Sequence, residues 1–294
     1  MKRFAFYLLG KKGYLCLARF LEEYGGEAVA FVVSAKDKGV KKDYFDEISG
    51  LCRKYAIKLY ERSERVCDSF DVSFAIGWRW MIPDSSKLIV FHDSLLPKYR
   101  GFSPLVNMLI RGEERIGVTA LFASHDYDSG EIIDQQSIRI TYPVKISEAI
   151  DKVSCLYEKV FLRIIGCLVF GEELKGAPQD EDVATFSLWR DESDYEIDWG
   201  VGSDELKRFV DAVGYPYSGA KTKLHGEWVR IADVELVKDV EVESRKSHLG
   251  KVIFMDDGCP VVVCGRGLVK VVNIVDANGN SLIGKISFRT RFGA

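Results

Sequence analysis

The 294-residue chain lacks most of the features that announce a function by themselves. Its four histidines, at 92, 125, 225 and 248, are scattered and show no metal-ligand spacing. Its seven cysteines include no Cys-x-x-Cys pair. An odd count without paired spacing reads as free thiols in a reducing compartment, which excludes a disulfide framework. No apolar run reaches the roughly 18–20 residues of a membrane helix. The nearest, VFLRIIGCLVFG, is interrupted by Arg163. The basic, apolar start MKRFAFYLLG is followed by no small-residue cleavage site, so it reads as a buried first strand of a cytoplasmic protein. Positive charge is not in excess either. A net charge of −3 argues against a protein that grips nucleic acid through a basic surface. Internal repeats and low-complexity segments are absent from the sequence.

What remains is an ordinary globular balance, 47% hydrophobic and 29% charged, in a chain long enough for two domains. FAFYLLG, EAVAFVVSA, IKLYE, FDVSFAIGW and LIVFHDS are short apolar runs of the kind buried on both faces of a sheet. Between them, KGYLCLARFLEEYG and YFDEISGLCRKYA carry apolar residues at helical spacing. Alternation of this kind predicts an α/β fold, a Rossmann-like, mostly parallel sheet, with ligands beyond the carboxyl ends of the strands. Gly10, Gly77 and His92 fall at such ends. Further along come a helix in SPLVNMLIRGE, strands in IGVTALFAS and EIIDQQSIRI, and a long helix from SEAIDK to VFGE. The charged, turn-rich GEELKGAPQDEDVATFS marks a boundary. Three parts follow: a catalytic domain over 1–180, a connecting segment over 181–202, and a domain over 203–294. The last combines a helix, with Ser203 as its N-cap, and short β runs spaced for a small open barrel of the OB type.

One stretch stands out, FHDSLLPKYRG at 91–101. His92 ends an apolar strand, and Asp128 sits in the acidic turn HDYDSG. An aspartate that orients one imidazole nitrogen would leave the other open for proton transfer. Taken singly, a histidine satisfied in a core and an Asp-Ser-Gly turn are the ordinary readings.

Taken together, HDSLLPKYRG, GEERIGVTALF and DSGEII resemble the formyltransferases that use 10-formyltetrahydrofolate. That family includes methionyl-tRNA formyltransferases and sugar N-formyltransferases. ATFSLWRDESDYEIDW resembles the segment that joins its two domains, and YPYSGAKTKLHGEWVRI resembles the run after it. The closing ISFRTRFG is similar to tails of members that act on sugars. The resemblance implies formyl transfer to a primary amine, with no metal, by an asparagine, a histidine and an aspartate. By position, His92 is the histidine and Asp128 the aspartate, but Val90 stands where the asparagine belongs. Valine cannot donate a hydrogen bond, so a substitute donor is expected: a backbone amide, a bound water, or Asn107 on the following helix. The folate loop of the family maps to FAIGWRWMIP, residues 74–83, giving Trp78, Arg79, Trp80, Met81 and Ile82 as folate-binding candidates, with Asp126 from the acidic turn. Lys98, Tyr99, Arg100 and Gly101, with Lys11 and Lys12, are candidates for a phosphate or the folate tail. The acidic balance, GWRWMIP and SFRTRFG favour a nucleotide-linked amino sugar over tRNA as acceptor, and a homodimer is the family-level expectation. A methionyl-tRNA formyltransferase and a non-catalytic binding protein are the alternatives.

Overall fold

The computed structural model describes residues 2–82 and 85–293. In chain order the elements are β1 (Phe4–Leu8), α1 (Gly10–Tyr24), β2 (Val29–Ser34), α2 (Phe45–Lys54), β3 (Leu59–Glu61), β4 (Val72–Ile76), β5 (Leu88–His92), β6 (Arg100–Gly101) and α3 (Pro104–Arg111). They continue as β7 (Arg115–Phe122), β8 (Ile132–Arg139), α4 (Ile146–Val169), β9 (Phe186–Ser187), α5 (Ser203–Val213), β10 (Ala220–Leu224), β11 (Glu227–Val237), β12 (Val252–Asp256), β13 (Cys259–Val263) and β14 (Leu268–Val275). The chain packs as two compact units, neither contiguous in sequence. One gathers residues up to Leu105 with Arg115–Arg139 and Ala149–Trp189; the other gathers Val106–Glu114, Ile140–Glu148 and residues from Arg190 onward.

The first unit is built on a seven-stranded sheet in the order β3-β2-β1-β4-β5-β7-β8. Strands β1 to β5 run parallel, as their continuous apolar composition predicts. Strands β7 and β8 join antiparallel at the edge beyond β5. The order reverses between β1 and β4, where open α/β sheets leave a crevice at their carboxyl ends. Gly77, just past β4, is the residue this junction demands. Its φ is +66°, and a Cβ there would lie 2.6 Å from the Leu9 carbonyl oxygen.

One face of the sheet carries an aromatic cluster. Phe6 and Phe74 stack with ring centroids 5.6 Å apart, Phe20 of α1 meets Phe6 edge-on at 5.2 Å, and Phe161 of α4 meets Phe74 at 5.4 Å. All four are fully buried, each worth roughly 1.5–3 kcal/mol over an exposed ring. On the opposite face Ala5, Phe31, Val33 and Tyr60 receive Val66, Phe70 and Trp78 from the segments after β3 and β4.

The second unit carries a five-stranded antiparallel sheet, β10-β11-β14-β13-β12, with α5 against it. Bridges from Leu224 to Phe292 and from Lys251 to Arg291 tie its two edges together through the C-terminal segment, as a small barrel needs. Gly202, not Ser203, caps α5; the Ser203 amide is drawn to the Arg266 carbonyl oxygen at 2.7 Å. Among the described residues, no helix is long and apolar enough to cross a membrane.

Candidate active site

His92 is the last residue of β5, 7% exposed, at the carboxyl end of the sheet. Its two ring nitrogens face two different oxygens. Nε2 lies 2.7 Å from the carbonyl oxygen of Tyr99, and Nδ1 lies 3.4 Å from Oδ2 of Asp128. A carbonyl oxygen only accepts, so Nε2 is the nitrogen that carries a hydrogen and Nδ1 is the one that faces the carboxylate. The sequence-based expectation was that Asp128 would orient the ring and leave the far nitrogen open. Instead the Tyr99 carbonyl oxygen holds Nε2, and Nδ1 is turned toward Asp128.

Asp128 is held just as closely. Its φ is 57°, in the left-handed region that a tight turn requires. Oδ2 accepts a 2.8 Å hydrogen bond from the Gly101 amide, and the Gln179 side chain donates to the carbonyl oxygens of Asp128 (2.8 Å) and Gly130 (2.7 Å). The Leu-Leu-Pro turn is pinned from β7 and β8. The Thr119 hydroxyl donates to the Ser94 carbonyl oxygen at 2.7 Å, and Gln135 donates to that hydroxyl at 2.7 Å and to the Leu96 carbonyl oxygen at 3.1 Å. Residues after the turn are gripped by 185–187. Thr185 Oγ1 accepts from the Tyr99 amide at 2.9 Å, and the Thr185 and Ser187 carbonyl oxygens accept from Arg100 and Phe102, each at 2.8 Å.

Gly101 sits between these grips with φ +100°, and a Cβ would lie 2.6 Å from the Ser187 carbonyl oxygen. Gly101→Ala therefore forces the amide that bonds Asp128 to move. We expect a turnover loss of about tenfold or more, the scale of a 1.4 kcal/mol misplacement, with an unchanged far-ultraviolet spectrum. Steady-state kinetics beside circular dichroism checks this.

Three cations expected at a ligand, Arg100, Lys11 and Lys12, are engaged within the protein. Arg100 is 3% exposed, and its guanidinium donates to Gln179 at 2.8 and 3.1 Å and, bidentately, to Glu181 at 2.7 Å. It braces the Asp128 turn through Gln179 and presents no open fork to a phosphate. Lys11 bonds Asp151 at 2.6 Å, which pushes its pKa up. Lys98 is exposed, whereas Tyr99 is buried and serves through its backbone. Asn107, the candidate substitute donor, belongs to the second unit, where its Oδ1 accepts from Arg190 at 2.7 and 3.0 Å.

A group the sequence did not reveal lies behind His92. The Asp93 carboxylate is bonded by Lys12 of α1 and by the Tyr157 hydroxyl of α4, and the Lys12 ammonium also stands 5.3 Å from the Tyr157 ring centre. Burial alone would raise the Asp93 carboxyl, but the Lys12 charge and the two hydrogen bonds outweigh it and hold the group below its ordinary value. Burial, then the Asp93 charge, drive the Tyr157 hydroxyl well above its own.

The aromatic loop after β4 is held by ring contacts and ion pairs. Trp78 packs edge-on against Tyr7 (5.6 Å) and Trp80 (5.0 Å), and Arg62 stands 4.6 Å over the Trp80 ring. Arg79 pairs with Asp37, Met81 is 82% exposed, and Ile82 is buried beside Ala75 and Leu88. Pro83, the end of this loop motif, lies outside the described residues. Among the described residues, Trp78 Nε1 is buried with no hydrogen-bond partner. An orphan donor costs about 1–3 kcal/mol, so this loop fits a ligand with an acceptor edge. Asp126 is well exposed in the next turn, paired at 3.0 Å with His125. No metal-binding cluster of His, Cys, Asp or Glu occurs among the described residues.

Fold and site together define an α/β protein with a histidine–carboxylate pair at the carboxyl edge of its sheet. Residues 81–165 match the family model described as formyl transferase, and residues 191–289 match that of the formyl transferase C-terminal domain. The chain belongs to the formyl transferase family. It is 28% identical over 204 residues to the methionyl-tRNA formyltransferase of Staphylococcus epidermidis, covering 66% of this chain and 65%, just under two thirds, of that one. Its fold is similar to that of the N-formyltransferase from Helicobacter canadensis, solved with folinic acid and dTDP-3-aminofucose (TM-score 0.70, 16% identity, 92% of this chain and 99% of that one). It is also similar to WlaRD, a sugar 3N-formyl transferase solved with dTDP and 5-N-formyl-THF (TM-score 0.67, 17% identity, 92% and 97%).

Proposed function

We propose that this protein moves a formyl group from 10-formyltetrahydrofolate to the primary amine of a nucleotide-linked amino sugar. The observation that carries the reading is the facing of His92 Nδ1 and Asp128 Oδ2 at 3.4 Å, with Nε2 fixed as a donor. Two acceptors converging on one point make a place for a proton. The folate supplies an electrophilic formyl carbon. The acceptor nitrogen forms a bond to that carbon, the bond from carbon to the folate nitrogen breaks, and one amine proton must travel from the incoming to the departing nitrogen. His92 Nδ1 and Asp128 are placed to take it and return it. Trp78, whose N–H has no partner among the described residues, and its neighbours Trp80 and Ile82 are the residues that would hold the folate ring.

The acceptor is argued from charge and likeness. A net charge of −3 is a poor match for the many phosphates of a tRNA, and two similar folds were solved with dTDP or a dTDP-linked amino sugar. The second reading, transfer to methionyl-tRNA, is favoured by the 28% identity to the staphylococcal enzyme. Incubation with 10-formyltetrahydrofolate and either dTDP-3-aminofucose or charged initiator tRNA separates the two. Formylation of the sugar amine is expected; formylation of tRNA alone overturns the choice of acceptor, and transfer to neither overturns the activity.

A further inference from the structure

We infer that Tyr157 of α4 is a positioning residue for His92, holding the end of β5 through Asp93 so that Nδ1 meets Asp128; its part in the reaction rests on the formyl-transfer reading. The need for such a hold is visible in the strand itself. Pairing with β4 ends at Phe91, so at His92 the ladder continues only on the β7 side, opposite Thr119. Nor does Asp128 fix the ring, since 3.4 Å exceeds the roughly 2.7–3.2 Å of an N–H···O hydrogen bond.

Tyr157 takes hold on both sides of the histidine. Its hydroxyl donates to the carboxylate of Asp93 and lies 3.3 Å from the carbonyl oxygen of Phe91, the residues after and before His92. Its ring lies against that of Phe91, with centres 5.6 Å apart. The second oxygen of Asp93 accepts from Lys12 of α1, so two helices are tied to one carboxylate. Both helices are fastened to the sheet by the aromatic cluster, α1 through Phe20 and α4 through Phe161. The histidine is thereby referred to rigid elements, as a reacting side chain that must stay within about 0.5 Å of its working place requires.

The hydroxyl is what sets this position apart. Tyr157 lies one turn before Phe161 on the buried stripe of α4, and the two are 1% and 0% exposed. A second phenylalanine would serve the packing. Burying a hydroxyl costs free energy unless it is hydrogen-bonded, and this one is directed at the neighbours of His92. Burial, and then the Asp93 charge, drive its pKa well above the ordinary tyrosine value, so it acts as a fixed donor and not as a proton carrier.

Tyr157→Phe isolates the hydroxyl, because the ring keeps its places against Phe91 and Lys12. In transfer from 10-formyltetrahydrofolate the variant is expected to lose about tenfold in kcat, a fraction of the ~10²-fold cost of a ~1 Å misplacement. KM for the formyl donor and for the acceptor should hold. Placed on His92→Ala, the same substitution should cost nothing further, since the hydroxyl acts through the histidine. A hydroxyl that only stabilises the core would cost the same factor in both backgrounds. A second readout needs no turnover. In nuclear magnetic resonance spectra of the full chain, labelled in its histidine ring nitrogens, the His92 signals are assigned by their loss in His92→Gln. In Tyr157→Phe they should shift or broaden, while those of His225 and His248 stay in place and report an intact fold. Unmoved His92 signals, an equal rate loss with and without His92, or a rise in KM without a fall in kcat overturns the proposal. If the His92 signals respond as expected but no formyl group moves in the wild type, the positioning assignment stands and the activity falls. If transfer proceeds and Tyr157→Phe changes neither rate nor spectrum, only the positioning assignment falls.

Discussion

Asp128→Asn is expected to lower kcat by about 10²–10⁴, the usual worth of a positioned proton-transfer group, while the protein stays folded. The asparagine oxygen can still accept the Gly101 amide that Oδ2 accepts at 2.8 Å, so the turn keeps its anchor. What disappears is the charge facing His92 Nδ1. His92→Ala should cost a similar factor. The double substitution should cost little more than the worse single one, because groups that handle one proton act as a unit. Single-turnover formyl transfer with thermal melts for each variant checks all three. An undiminished rate in Asp128→Asn would falsify the assignment of this pair.

Lys12→Met is expected to have the largest effect on stability, about 3 kcal/mol, the scale of breaking a buried ion pair by removing one partner. The Lys12 and Asp93 side chains are only 14% and 19% exposed. Without the ammonium, Asp93 keeps the Tyr157 hydroxyl alone. Adding Asp93→Asn should restore much of the loss, since the stranded charge goes with it. Urea denaturation of the two single variants and the double variant measures this coupling. The same carboxylate has a pH signature. Its folded pKa is depressed, so its contribution is complete above the unfolded value, about 3.9, and is lost as pH falls through the lower folded value. In Asp93→Asn the fall of stability with acid should be shallower below about pH 4.

The sheet and the pair were readable because their signals are local. Continuous apolar runs such as VAFVVS mark parallel strands, and an ionisable residue directly after LIVF marks a strand end. Direction was less legible. IGVTALF looks like another buried strand, and nothing in it says that β7 turns antiparallel to β5. Arg100 reads as a cation for a phosphate or the folate tail, because its true partners lie 79 and 81 positions away. Lys12 could be noticed only as a cation in a loop, since Asp93 is 81 positions downstream. Tyr157 is hidden in the apolar stripe of α4, and no pattern there singles out its hydroxyl. Gln179 and Thr185 sit in a segment whose composition says only that it is a connection. Burial and hydrogen bonding between distant positions decide these roles, and neither has a period along the chain.

The grip of that connecting segment has a consequence for where a working piece of this protein must end. A chain cut after Val169, the last residue of α4, retains every strand of the seven-stranded sheet together with His92 and Asp128. It loses Gln179, which supports the Asp128 turn from 51 positions downstream, and it loses Thr185 and Ser187, which hold Tyr99, Arg100 and Phe102. Such a fragment has the letters of the active site without its grammar. The minimal functional module is thus delimited by a strap rather than by its last helix, and it extends past Ser187.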